Sequence, residues 1–77
     1  MAVRAYVLIE ASIGKVSSAA ENIRALPGVV AADAVAGPYD IIATVEANSA
    51  DAVGRLVMEK IHAVAGVSYT MTCVVVS

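Results

Sequence analysis

IRALPGV (Ile23–Val29) and IHAVAGV (Ile61–Val67) are two versions of one phrase, I-x-A-(apolar)-x-G-V, set 38 residues apart in a chain of 77. Each reads as the last turn of a helix, stopped by a glycine and followed at once by β-branched residues. An offset of half the chain predicts two copies of one β–α–β unit.

Working outward from the phrase completes each unit. Upstream of the first copy, Val3, Ala5, Val7 and Ile9 alternate with Arg4, Tyr6 and Glu10, a period of two that predicts a strand over Val3–Ala11. Gly14 and Lys15 lead into Val16, Ala19, Ala20, Ile23 and Leu26, which fall on one face of a helix. One glycine before a helix is weak as an anion-binding loop, so Ser12–Lys15 reads as the lead into that helix. Val29–Ala36 is the second strand. The second unit opens with a strand over Asp40–Ala47. Asn48 or Ser49 then caps a helix whose buried stripe is Val53, Leu56, Val57, Ile61 and Val64, with Asp51 favourable in its first turn. The last strand is Val67–Val76.

The order β-α-β-β-α-β predicts a ferredoxin-like α+β fold in a single domain, a four-stranded antiparallel sheet with both helices on one face. The other sheet face is left uncovered. Hydrophobic residues make up 60% of the chain and charged residues 16%. A domain this small cannot hide so much apolar surface behind two helices, which predicts self-association through the sheet.

Composition also bears on what the chain does. The longest uncharged run, Ile61–Ser77, is 17 residues and carries His62, Gly66, Ser68, Thr70 and Thr72. A membrane-spanning helix takes about 20 predominantly apolar residues, so a soluble, cytoplasmic protein is expected. Five Lys and Arg residues lie scattered in a chain of net charge −2, with no basic stripe for phosphates; no direct nucleic-acid contact is expected. Cys73 is the lone cysteine, and its apolar strand context reads as a buried structural thiol. No HxxxH, HxxE or Cys/His pair offers a metal site, and there is no phosphate loop or nucleophile elbow. No metal, cofactor or catalytic residue is expected. Glu10, Asp33 and Glu46 occur singly in different strands, as solubility residues at sheet edges would.

Two features exceed what the fold requires. Between the halves lies Ala36-Gly37-Pro38-Tyr39-Asp40. Gly37 and Pro38 are ordinary turn residues, but Tyr39 and Asp40 add an aromatic face and a carboxylate that suit a small zwitterion. On the last strand Ser68, Thr70 and Thr72 share a face, either as surface residues or as a polar lining. His62 is the only histidine; it reads as a polar ring well placed near a helix C-terminus, with a ligand or acid/base role as the competing reading.

Taken together, AYVLIEAS, ALPGV, AGPYDIIATVEA and GVSYTMTCVVV resemble the effector-binding, oligomerising RAM domain of the Lrp/AsnC transcriptional regulators, across essentially the whole chain. The resemblance matches Gly37, Tyr39 and Asp40 to a G-x-[YF]-D hairpin, and Thr70 and Thr72 to a T-x-T strand. It implies dimers through the sheets, octamer or decamer rings, and amino-acid effectors in clefts between dimers. In those clefts the Gly37–Asp40 loop would recognise the amino-acid backbone, and Thr70 and Thr72 would supply hydroxyls. Pro38 departs from full hairpin function by removing an N–H donor. The chain starts at the first strand without a helix-turn-helix domain, so a stand-alone module is expected. Such a module would sense an effector or assemble with full-length Lrp/AsnC regulators. A purely structural assembly partner, or a small dimeric ferredoxin-like enzyme built on His62, are the competing readings.

Overall fold

The computed structural model describes residues 2–77. The elements are β1 (Val3–Ala11), α1 (Val16–Arg24), β2 (Val29–Ala34), β3 (Ile41–Ala47), α2 (Ala50–Arg55) with its continuation as a π-helical turn (Leu56–Ile61), and β4 (Val67–Val74). All three strand pairings are antiparallel and the sheet order is β2-β3-β1-β4, so the expected ferredoxin-like plan stands.

The two copies of the phrase share their glycine turn, although the first leaves an α-helix and the second a π-helical turn. Gly28 and Gly66 take φ of +94° and +95°, a region open to glycine and strained for other residues. Leu26 N–H donates to Ile23 O and Val64 N–H donates to Ile61 O, both at 3.0 Å; Val29 N–H to Leu26 O and Val67 N–H to Val64 O are both 3.2 Å. The sequence repeat is therefore a repeat of backbone geometry, a helix stop that turns the chain directly into a strand.

Strand alternation sorts residues onto the two sheet faces. Ala5, Val7, Ile9, Ile41, Ala43, Val45 and Ala32 are buried beneath Ala19, Ala20 and Ile23 of α1 and Val53, Val57 and Ile61 of the second helical segment. The four isoleucines supply the bulk of this core, because five of its members are alanines that let helix and sheet approach closely. Ser49 caps α2 by accepting from Ala52 N–H at 3.1 Å, which settles the choice between Asn48 and Ser49.

Several sequence expectations need correction. β2 stops at Ala34 and β3 starts at Ile41, although Val35 N–H still donates to Asp40 O in the same register. β4 ends at Val74 rather than Val76, although Val75 N–H still donates to Arg4 O. Cys73 is exposed in the single chain, because its register partner is Tyr6 on the face without helices. Glu10 and Glu46 belong to the central strands β1 and β3, so edge protection does not explain them; Asp33 alone lies on an edge strand. Glu46 is instead opposite Arg4 in register and accepts from its Nε and Nη2 at 3.0 and 2.6 Å.

The two sheet edges differ. On β2, Arg24 at the end of α1 donates to Ala32 O at 3.1 Å through Nε, satisfying a carbonyl of the edge strand. β4 forms the other edge, an exposed row of backbone groups of the kind that accepts further pairing.

Candidate functional site

Three connections gather at one end of the sheet: Ser12–Lys15 after β1, Val35–Asp40 before β3, and His62–Gly66 before β4. Backbone bonds lace them together. Ser12 N–H donates to Gly66 O at 2.8 Å and Asp40 N–H donates to Ile9 O at 2.9 Å. Ser68 sits where β1 and β4 slip register between Glu10 and Ala11, and its hydroxyl donates to Glu10 O at 3.0 Å.

The sequence-derived site residues occupy this end, in two groups. Asp40 is half-buried, and its Oδ2 accepts from Ala11 N–H at 2.9 Å, taking a backbone donor that lies beyond the last β1–β3 pair, Ile9 with Ile41. The carboxylate is therefore a structural brace first; Oδ1 makes no hydrogen bond among the described residues. Tyr39 is half-buried and its hydroxyl donates to Met71 Sδ at 3.7 Å, so the side chain crosses β1 on the face without helices. Gly37 is exposed, has no positive φ, and has nothing within 4 Å of where a Cβ would stand. Geometry does not demand glycine there.

Thr70 and Thr72 form the second group. They pair with Ile9 and Val7 of β1, whose side chains are in the core, so both threonines project to the helix side of the edge strand. Thr70 is half-buried and Thr72 exposed. Within one chain, then, the Tyr39 ring and the threonine hydroxyls lie on opposite sides of β4. The described residues form no cavity of their own.

One contact was invisible to sequence reasoning. His62 Nε2 lies 2.7 Å from Thr70 Oγ1. A separation of eight residues across a glycine-stopped turn was the available signal. At the far end of β1, Glu46 raises the Arg4 guanidinium above its usual value, through the hydrogen bond first and charge second. That only secures a charge Arg4 carries at any ordinary pH.

The face without helices carries Tyr6, Tyr69 and Met71 at 41%, 46% and 41% exposure, with Leu8, Ile42 and Cys73 beside them. A contiguous apolar face of this kind marks an interaction surface.

A family model described as the Lrp/AsnC ligand binding domain matches residues 4–77. The chain belongs to the Lrp/AsnC ligand-binding domain family. An uncharacterized HTH-type transcriptional regulator of Pyrococcus furiosus is 44% identical over 55 residues, covering 71% of this chain and 37% of the regulator. The chain thus spans little more than a third of such relatives. Among solved structures of similar fold, the Thermus thermophilus protein TTHA0845 superposes with a TM-score of 0.92 at 31% identity, covering 97% of this chain and 94% of that one. Escherichia coli AsnC gives 0.89 at 26% identity over 97% of this Lrp/AsnC domain and 51% of its own length. A Neisseria meningitidis transcriptional regulator solved as an L-Met complex gives 0.82 at 19% identity, a likeness of fold alone, over 97% of this chain and 50% of that one.

Among the described residues no helix is long and apolar enough to cross a membrane, and no group of three or more His, Cys, Asp or Glu side chains is placed to hold a metal ion.

Proposed function

We propose that this domain is a non-enzymatic, cytoplasmic amino-acid-binding and oligomerising module tied to transcriptional regulation. The observation that carries the reading is the split site. Tyr39 and Asp40 are held rigidly at one end of the sheet on one side of β4, and Thr70 and Thr72 stand on the other side. A single chain cannot close these groups around one small molecule, but two copies can, each giving one half. The Neisseria regulator with bound L-Met supports an amino acid as the ligand class.

In this reading Asp40 Oδ1 receives the ammonium group, while Oδ2 keeps its bond to Ala11 N–H. Gly37 gives the loop room to approach the ligand backbone. Asp40→Asn preserves an oxygen acceptor for Ala11 N–H and removes the charge. It is expected to fold as the parent does and to weaken binding about tenfold or more, since a hydrogen bond to a charged group is worth roughly 1.5–3 kcal/mol. Calorimetric titration with each of the twenty amino acids, on parent and variant, measures this. Equal affinities for the tightest ligand remove Asp40 from the site, and no binding by the parent at millimolar concentration removes the sensing role.

Oligomerisation is assigned to the face bearing Tyr6, Leu8, Tyr69 and Met71. Tyr6→Asp places a charge in its middle at a position 41% exposed in the single chain, so folding is expected to survive. Light-scattering mass is expected to fall from a multiple of 7.8 kDa toward 7.8 kDa itself. An unchanged multimer would place the contact elsewhere.

A second reading, an assembly partner for full-length regulators that binds no effector, is favoured by the bracing role of Asp40, whose Oδ2 is already engaged by Ala11 N–H. Native mass measurements on mixtures with an HTH-bearing relative separate the two. Hetero-oligomers indifferent to every amino acid would support the second.

A further inference from the structure

The geometry points to His62 as the residue that positions the Thr70 hydroxyl for ligand, an inference that rests on the amino-acid-binding reading above. Two independent features of the backbone bring these side chains together. The segment Leu56–Ile61 is wound as a π-helical turn, and His62 N–H donates to Val57 O, five residues back, at 2.9 Å. Such turns are rare and concentrate at functional positions, because the widened turn re-aims the side chains that follow it. Beyond it, Gly66 at φ +95° reverses the chain so that β4 runs back past the helix end. The result is Nε2 of His62 at 2.7 Å from Thr70 Oγ1.

A threonine hydroxyl has one proton and two lone pairs and rotates freely unless something holds it. The strand already restricts χ1 of a β-branched residue, and the imidazole fixes the remaining freedom of the hydroxyl proton. With Nε2 protonated, the ring donates to Oγ1 and leaves the threonine O–H to donate to a ligand carboxylate. With Nε2 bare, the ring takes that proton and leaves the oxygen as an acceptor. In both states the histidine commits one direction of the hydroxyl and defines what it offers. His62 is itself exposed and packs into no part of the core, so a role in supporting the fold does not explain the contact.

The test uses the intact chain and whichever of the twenty amino acids the parent binds most tightly in single titrations. His62→Ala is expected to melt as the parent does and to weaken binding roughly three- to tenfold, the loss of one ordinary hydrogen bond's worth of preorganisation. His62→Gln, which keeps an amide N–H able to donate to Oγ1, is expected to recover most of that loss. In a Thr70→Val background, His62→Ala is expected to cost nothing further, because a positioning residue acts only through the group it positions. Parent-like affinity in His62→Ala, or an undiminished loss in the Thr70→Val background, overturns the assignment while leaving the ligand reading intact. Absence of binding by the parent overturns both.

Discussion

Ile9→Ala is expected to cost about 3–4 kcal/mol of stability, within the roughly 2–5 kcal/mol that removing a buried aliphatic side chain costs. Ile9 is fully buried in the central strand β1, between Ile41 of β3 and Thr70 of β4 in register. The cost lies toward the upper part of the range for a specific reason. Five of the thirteen buried core residues are alanine, and alanine has no rotamer with which to fill a void. The cavity therefore stays open, and the lost contacts are not remade. A chain of 77 residues has about 4–12 kcal/mol to lose. At about 4–8 °C per kcal/mol for a domain of this size, the melting midpoint should fall by about 12–30 °C. Denaturant titration at fixed protein concentration checks this, the concentration being held because association would otherwise add to apparent stability. A loss below about 1 kcal/mol would show that the helix layer collapses onto the gap, contrary to the packing described.

The second large effect distinguishes two glycines that sequence reasoning treats alike. Gly28 and Gly66 have the same φ, so an alanine at either pays the left-handed penalty of about 1–2 kcal/mol. Their surroundings differ. A Cβ on Gly66 would stand 2.6 Å from Cβ of Lys15, the residue that caps the start of α1 and whose Cβ moves only with its backbone. At Gly28 the nearest atom is Leu56 Cδ2 at 3.2 Å, the far end of a side chain that can turn aside. Gly66→Ala should therefore destabilise by about 3 kcal/mol or more, and Gly28→Ala by about 1–2 kcal/mol. Equal losses in paired chemical denaturation curves would mean that Lys15 and the start of α1 yield without cost, and that crowding plays no part.

Much of the architecture was legible because it rests on local periodicity and stops. The alternation over Val3–Ala11 gave β1 to the residue, and the twin glycines marked the turns into β2 and β4, although the helices stop earlier, at Arg24 and Ile61, and leave Leu26 and Val64 outside them. What escaped was set by pairing across distance. No periodicity announces that Asp40 will brace Ala11 N–H, since that donor lies beyond the last β1–β3 pair, Ile9 with Ile41, and only the pairing register brings the Asp40 carboxylate to it. Spacing by two put Thr70 and Thr72 on one face but could not say which face, and the sheet order decides that they look toward the helices. Cys73 was misplaced for the same reason: an apolar strand neighbourhood does not distinguish a core from a face awaiting a partner. The π-helical turn before His62 has no distinguishing sequence pattern, because Val53, Val57 and Ile61 satisfy an α-helical stripe equally well.

The Arg4–Glu46 pair, lying opposite each other on the central strands of the apolar face, has a consequence for selectivity. At 51% and 37% exposure the two side chains now lean on water for much of their solvation. A covering surface of uniform oil would strip that water and leave the ions to each other, a substantial penalty even for a paired charge. A surface that presents polar groups at the matching position, or keeps the pair at its wet rim, avoids it. One ion pair in a greasy face thus works as a key, rejecting most apolar surfaces that would otherwise stick and permitting only those docked in an alignment that respects it.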